Sequence, residues 1–271
     1  MSQNHKSNHA AQTNTRIWSL VYPIFLYFAV CQIVNLLLEL FPFAASVDAV
    51  RRQGLGSLAG FFVLYICFVR KESVQGDLNQ EKKLFLASVS GRTAGGMLAA
   101  VFLLGCAGVA MNNLIALTNL KQVSESYQTV EQAFYSSSLG WEILALGIVT
   151  PFAEELLYRY IIFYHLRDWM GRMGAIVGSA LLFGLIHMNI VQVVYAFVLG
   201  LVLGILMEAY QDVRVAVCGH VAANIISLLR GETHVLEWMQ PGNASFLPVT
   251  IGLFAVVLAS AGLLVKKFKK E

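Results

Sequence analysis

The sequence predicts an all-α fold: a polytopic integral membrane bundle of about eight transmembrane helices. Composition is the first reason, because 57% of the 271 residues are hydrophobic and only 13% are charged, whereas about a quarter of the residues of a soluble domain are charged. The second reason is that the apolar residues form long runs. In lipid only helices and closed barrels satisfy every backbone hydrogen bond, and runs of this length exclude barrel strands.

Eight apolar segments each approach the roughly 20 residues that a helix needs to cross the hydrocarbon core of a bilayer. They are residues 17–41, 54–69, 94–117, 139–163, 174–189, 191–210, 213–229 and 246–265. The segments 54–69 and 174–189 are the short ones, so we expect their true ends to differ from these bounds.

The basic residues follow a pattern of membrane topology rather than of nucleic-acid binding. With the N-terminus in the cytoplasm and eight crossings, fourteen lysines and arginines face the cytoplasm and four face the other side. The cytoplasmic set is Lys6, Arg16, Arg70, Lys71, Lys82, Lys83, Arg92, Arg167, Arg172, Arg214, Lys266, Lys267, Lys269 and Lys270; the far set is Arg51, Arg52, Lys121 and Arg230. This bias predicts a multi-pass protein of the cell membrane with both termini in the cytoplasm and no nucleic-acid partner. It leaves the oligomeric state open.

We expect one transmembrane domain between two polar tails. Residues 1–16 are polar and lack the order of a signal peptide, which predicts a disordered cytoplasmic tail. The single domain spans residues 17–265, and residues 266–271 form a basic cytoplasmic tail. In the far-side loop, four apolar residues recur at helical spacing: Val123, Tyr127, Val130 and Phe134. This spacing predicts an interfacial helix that either caps the bundle or gates the entry of substrate.

Two adjacent acids and an arginine lie inside the fourth apolar segment, where residues 154–159 read Glu-Glu-Leu-Leu-Tyr-Arg. An ionisable residue within a membrane span is costly, so it is a functional-site hypothesis by default. Arg159 follows Glu155 by four residues on the same helix face, so the two can pair. Glu154 is then a free carboxylate in low dielectric, which suits a general base. The alternative is a buried ion pair that only fixes helix packing.

Pro151 lies just before the two acids and has no N–H to donate to the carbonyl of Gly147. We therefore expect the helix to kink or open locally at this point.

Two further patterns place imidazoles inside apolar helices. Residues 183–187 read Phe-Gly-Leu-Ile-His, and Phe183 lies one turn before His187, where it can pack against the ring. His220 and Asn224 share one face of a later helix. Each pattern alone fits a hydrogen-bonded core histidine or a polar clasp between helices. Together with a free glutamate they supply a base, a positioning group and oxyanion donors.

The three patterns, EExxxR, FxxxH and HxxxN in this order on successive hydrophobic helices, resemble the CAAX protease and bacteriocin-processing (Abi) family of intramembrane proteases. The resemblance covers a catalytic core at about residues 139–229, and the earlier spans are similar only in being hydrophobic. It implies an intramembrane endopeptidase whose partners are the lipid bilayer and a peptide or membrane-protein substrate. In this family's pattern, Glu154 and His187 activate water, while His220 and Asn224 stabilise the oxyanion.

The same resemblance implies that Glu155 and Arg159 are supporting residues that orient the first catalytic pair. It also implies two substrate classes, because family members either trim the C-terminal residues of prenylated CAAX proteins or are tied to the processing of peptides such as bacteriocins. Two other functions fit these residues: a non-catalytic immunity or scaffold protein of the same fold, and a proton-coupled transporter. The chain lacks the two related halves that are common in transporters.

The family has been described both as metal-dependent and as glutamate-dependent, so zinc is an alternative cofactor. Its ligands would be His187, His220 and Glu154. The sequence has no HExxH pattern, and Asn224 is a poor zinc ligand but a good oxyanion donor. We therefore favour a glutamate mechanism without a cofactor.

The positions of these residues along their predicted spans do not place all of them at one depth in the membrane. A rise of about 1.5 Å per residue places Glu154 and His220 in the cytoplasmic half of the bilayer and His187 deeper. The three residues can meet if the fifth span begins above the membrane surface, if it tilts, or if its predicted boundary is off by one turn.

Overall fold

The computed structural model describes residues 2–41, 46–70 and 88–268, with side chains from residue 13 onward. Its regular structure is helical, which confirms the predicted fold class. The helices are α1 (Ser2–Leu40), α2 (Ala49–Leu64, continued by the π-helical Tyr65–Arg70), α3 (Gly91–Ala116), α4 (Leu120–Val123), α5 (Glu125–Phe134), α6 (the consecutive segments Leu139–Glu142, Ile143–Val149, Thr150–Glu155 and Leu156–Ile162), α7 (Phe163–Leu185), α8 (Ile190–Tyr210), α9 (Val213–Glu232) and α10 (Phe246–Phe268). Helix α5 lies where the interfacial helix was predicted.

Six of the eight predicted spans are helices long and apolar enough to cross a membrane: α1 from Thr13, α2 with its extension, α3, α8, α9 and α10. The other two, predicted at 139–163 and 174–189, are helical but do not meet this criterion. Helix α6 carries the charged motif, and α7 is divided by a kink at Gly171. The arm of α7 after the kink ends at Leu185, so it spans about 21 Å, less than the ~30 Å of a hydrocarbon core.

Helix α1 extends further towards the N-terminus than predicted. It begins at Ser2 and so includes residues of the 1–16 tail that we expected to be disordered. Once the apolar part is helical, each further residue adds a backbone hydrogen bond without a new nucleation cost. Several members of the predicted cytoplasmic cluster lie outside the described residues: Lys71, Lys82, Lys83, Lys269 and Lys270.

Helix α9, which carries His220 and Asn224, is held between two buried apolar clusters. The first cluster joins α1, α2, α6 and α7, and Val213 and Val217 of α9 belong to it. The second joins α3, α8 and α10, and it takes Val215, Ala216 and Ala223 from the other side of α9. Because both faces of α9 are packed, its position relative to α6 is fixed.

Small residues bring α8 close to α7, as the GxxxG spacing in α8 indicates. A Cβ atom at Gly200 would lie 3.0 Å from the Cα of Ala180, and one at Gly204 would lie 3.2 Å from the Cα of Ile176. Glycine at both positions therefore permits a close approach of the two backbones. This close approach also places α8 beside Phe183. A Cβ atom at Gly200 would lie 3.4 Å from the Phe183 ring.

The kink within α7 depends on a residue that sequence patterns did not single out. Gly171 has φ 72°, a left-handed conformation that side chains rarely adopt. The change of direction sets the level at which the second arm of α7 begins, and this arm ends near His187. The depth of His187 therefore need not be the depth that a straight span predicts.

Asp212 fastens the turn between α8 and α9. It is fully buried and accepts hydrogen bonds from Nε and Nη2 of Arg214, at 2.9 and 2.8 Å, and from the Thr93 hydroxyl at 3.0 Å. Burial raises the pKa of this carboxyl, but the hydrogen bonds from Arg214 and Thr93 outweigh burial and hold the pKa below its usual value.

We expect Asp212→Asn to lower the free energy of unfolding at neutral pH by about 1–3 kcal/mol, because charged hydrogen bonds are lost. A lowered folded-state pKa means that this stability is present above about pH 4 and is lost as the pH falls through the folded value. Thermal unfolding of detergent-purified protein at pH 6 and pH 3 checks both points, with the exposed Asp168→Asn as control. Equal acid sensitivity in the wild type and in Asp212→Asn would contradict the assignment.

Candidate active site

Residues of all three sequence patterns meet where α6, the end of α7 and α9 pack together. His220 of α9 contacts both acids of α6: its Nδ1 lies 2.9 Å from Oε1 of Glu155, and its Nε2 lies 3.7 Å from Oε2 of Glu154. Glu154 is also close enough to His187 for the two side chains to interact electrostatically. Glu154, His187 and His220 therefore lie in one small region, although straight spans place His187 at a different depth.

The backbone of α6 opens before the acids, as Pro151 predicts. Residues Ile143–Val149 form a π-helical turn, and the N–H of Thr150 donates to the carbonyl of Ala145 instead of that of Leu146. In the π register the next donor would be residue 151, which is proline and has no N–H. The carbonyl of Leu146 is thus left without a donor from its own helix.

Asn224 supplies the donor that α6 lacks. Its Nδ2 lies 2.9 Å from the carbonyl oxygen of Leu146. An amide nitrogen carries two hydrogens, so one donor of Asn224 is used for this bond and one is left for a ligand. Asn224 can therefore join α9 to α6, as a polar clasp between helices, and still have a hydrogen to donate to a ligand, as the predicted oxyanion role requires.

A buried chain of charges lies behind His220. Arg159 and Glu155 are both fully buried, and Nε of Arg159 lies 3.3 Å from Oε2 of Glu155. The other oxygen of Glu155 accepts from Nδ1 of His220. The predicted pairing of Glu155 with Arg159 is present, and Glu155 also holds the ring of His220.

Glu154 differs from Glu155 in its exposure. The side chain of Glu154 is 17% exposed, while that of Glu155 is sealed. Its separation of 3.7 Å from His220 is longer than a hydrogen bond. Of the two adjacent acids, Glu154 is the more exposed.

The tautomer of His187 follows from its hydrogen bond. Nδ1 lies 2.9 Å from the carbonyl oxygen of Phe183, one turn earlier. A carbonyl oxygen can only accept, so Nδ1 carries the hydrogen and Nε2 of the neutral ring is an acceptor. The residue is half-buried. Its free nitrogen can accept a proton or bind a ligand.

The ring of Phe183 connects the two imidazoles with the charged helix. It makes edge-to-face contacts with His187 and His220, at centroid distances of 5.3 and 5.5 Å. The guanidinium of Arg159 lies 5.1 Å from the same ring, within the range of a cation–π contact. Phe183 therefore forms an apolar wall of the site, a wider role than the packing against His187 that the sequence indicates.

Polar residues of the first two helices also reach this region, and sequence analysis did not find them. The Tyr27 hydroxyl donates to Ser57 at 3.1 Å, and Ser57 bonds Thr150, in the turn before the acids, at 3.1 Å. Tyr27 is also within electrostatic range of Glu154. A close approach at Gly60 makes this possible, because a Cβ atom there would lie 2.6 Å from the Tyr27 ring.

A metal site would need at least three ligands from the same neighbourhood. Within residues 2–41, 46–70 and 88–268, no group of three or more His, Cys, Asp and Glu side chains has a spacing that could hold a metal ion. The two nitrogens of His220 each face a carboxylate of the Glu154–Glu155 pair. Zinc as a cofactor, with His187, His220 and Glu154 as ligands, stays an alternative prediction.

Fold and site together define a polytopic helical membrane protein with a polar centre built from acids, imidazoles and an amide. Residues 136–226 match the family model of the Rce1-like type II CAAX prenyl endopeptidases. The matched segment contains all three patterns, which confirms the resemblance predicted from them, and at the level of the family it indicates a protease. Comparison with curated proteins and with solved structures gives no significant match.

Proposed function

We propose that the protein is an intramembrane endopeptidase that hydrolyses a peptide bond in a peptide or membrane-associated protein tail, with water activated by Glu154. One observation carries the proposal: of two adjacent acids, one is sealed against Arg159 and His220, and the other is accessible beside two imidazoles. A structural ion pair accounts for the first acid but not for the second. The family match supports the same class of activity.

In the proposed first step, Glu154 removes a proton from a water, and His187 holds that water through its Nε2 acceptor. The resulting hydroxide attacks the carbonyl carbon of the scissile peptide. When the tetrahedral intermediate collapses, the proton passes to the leaving amine, which departs as the C–N bond breaks. General base catalysis of this kind contributes about 10²–10⁴-fold to a rate.

His220 and Asn224 stabilise the oxyanion in this proposal. Glu155 accepts from Nδ1 of His220 and is itself paired with Arg159, so the ring is held with its Nε2 on the side of Glu154, where an Nε2–H would donate to the oxyanion. The second hydrogen of the Asn224 amide is the other donor. Preorganised donors of this type are each worth about 3 kcal/mol in the transition state.

We expect Asn224→Leu to lower kcat by about 10²–10³-fold, because one oxyanion donor is lost. The same change leaves the Leu146 carbonyl unpaired and costs about 1–3 kcal/mol of stability. Adding Pro151→Ala supplies an N–H that can bond Leu146 within α6. The double variant should therefore regain thermal stability but not kcat. Recovery of both would show that Asn224 acts only through the fold.

A test of the proposal is cleavage of a quenched-fluorescence peptide library, including a prenylated CAAX peptide, by detergent-purified protein with and without a strong zinc chelator. We expect cleavage that survives chelation, with products defined by mass spectrometry. Activity that is lost on chelation and restored by zinc would contradict the metal-free mechanism and indicate His187, His220 and Glu154 as ligands. No cleavage of any peptide would favour a non-catalytic binding protein of the same fold.

A further inference from the structure

A basic cavity of about 710 Å³ lies at the end of the bundle where α3 begins and where α8 and α10 end. Four basic side chains and one carboxylate contribute to its lining: Arg92, Arg167, Arg172, Lys267 and Glu208. None of the six motif residues lines it, so the cavity is separate from the proposed catalytic site. The sequence places all four basic residues on the cytoplasmic side, and the structure brings them to one end of the bundle.

Glu208 orients two of these cations. Its carboxylate side chain is only 3% exposed, and its two oxygens lie 2.8 Å from Nε of Arg167 and 3.1 Å from Nε of Arg172. The hydrogen bond of Arg167 to this carboxylate comes from Nη2, at 3.0 Å. One carboxylate neutralises one charge, so the two guanidiniums keep a net positive charge and a fixed position at the edge of the cavity.

Two arginines also hold the ends of the neighbouring helices. Arg92 donates to the carbonyl of Ala209 at 2.7 Å, and Arg172 donates to the carbonyl of Phe268 at 2.6 Å. The first carbonyl belongs to the last turn of α8, and the second to the last described turn of α10. Each guanidinium carries five N–H donors, more than these contacts use. The cavity therefore presents preorganised donors to an anion.

An apolar groove of about 800 Å³ continues from the basic cavity between α3 and α10. The two spaces share Tyr210, Leu264 and Lys267 in their linings. The groove is otherwise largely apolar, and Phe102 and Leu263 within it are 60% and 64% exposed. On a membrane-spanning helix, apolar side chains with this exposure face lipid chains.

The geometry points to a binding site for an anionic phospholipid, with its headgroup phosphate in the basic cavity and an acyl chain along the α3–α10 groove. Basic pockets between membrane helices on the cytoplasmic side suit anionic headgroups. A soluble phosphate would use the cavity but not the groove, and a zwitterionic lipid does not match the excess of positive charge. This site does not depend on the proposed peptidase activity.

Native mass spectrometry of the detergent-purified full chain tests the site. The probes are phosphatidylglycerol, phosphatidylcholine with the same acyl chains, and glycerol 3-phosphate. We expect phosphatidylglycerol to bind at a concentration about tenfold or more below that of phosphatidylcholine. The variant Arg92→Gln/Lys267→Gln leaves the Glu208 cluster intact and should weaken phosphatidylglycerol binding about tenfold or more. The control Arg52→Gln/Lys121→Gln removes the same charge outside the cavity and should bind like the wild type.

The groove is tested with Ser260→Trp, which places a bulky ring among its lining residues. We expect weaker binding of phosphatidylglycerol and unchanged binding of glycerol 3-phosphate. Equal affinity for the two lipids, or unchanged binding in Arg92→Gln/Lys267→Gln with a normal thermal unfolding midpoint, would overturn the site. If glycerol 3-phosphate binds as tightly as the lipid and Ser260→Trp has no effect, the ligand is a soluble phosphate and the lipid assignment fails.

Discussion

Glu154→Gln is expected to lower the cleavage rate by about a thousandfold, because the variant keeps the shape of the side chain and removes the proposed base. The thermal unfolding midpoint should change little, since the Glu154 carboxylate lies beyond hydrogen-bonding distance of His220 and is partly exposed. Single-turnover cleavage of a defined peptide, measured beside unfolding in the same detergent, separates the two effects.

A matched control is available on the same helix. Glu142→Gln neutralises another buried glutamate of α6, about 18 Å along the helix from Glu154. This control should retain the cleavage rate of the wild type. If Glu154→Gln keeps more than about a tenth of the wild-type rate, Glu154 is not the base and the proposed mechanism is wrong.

The second large effect is on stability. Glu155→Gln or Arg159→Met alone should lower the free energy of unfolding by about 3–5 kcal/mol, because the ion pair is lost and the remaining charge stays fully buried, Arg159 without a carboxylate and Glu155 with His220 alone. The double variant Glu155→Leu/Arg159→Met removes both charges and should recover much of that loss. Denaturant titration in mixed micelles, followed by tryptophan fluorescence, measures all three variants.

The double variant also tests the role of Glu155 in catalysis. His220 loses the acceptor of its Nδ1 hydrogen, so we expect a low kcat even where stability is recovered. A stable double variant with the wild-type kcat would show that the buried charges serve only the fold. A single variant as stable as the wild type would contradict the burial of an unpaired charge.

The local parts of the site could be predicted from sequence because they depend on spacing within one helix. The pairing of Glu155 with Arg159 and the packing of Phe183 on His187 both follow from a separation of four residues. The opening of α6 before the acids follows from the missing N–H of Pro151.

Other parts depend on how helices pack, which spacing alone does not determine. The contact of Glu155 with His220 requires the rotation of α9 about its axis, and Tyr27 reaches the site only because α1 crosses α2 at Gly60. The depth of His187 was counted along a straight span, and the sequence patterns did not show that α7 changes direction at Gly171. The predicted division into tails and one domain stays a prediction.

The hydrogen bond between Asn224 and Leu146 determines the smallest set of residues that could be transferred to another scaffold with the site intact. A designer who grafts only the three charged and polar patterns onto a new bundle would place Asn224 opposite a regular helix with no carbonyl to hold it. Its amide would then rotate freely, and the site would lose one of its fixed groups. The smallest portable unit therefore includes Pro151 and the widened turn before it, although neither has a role in the proposed chemistry.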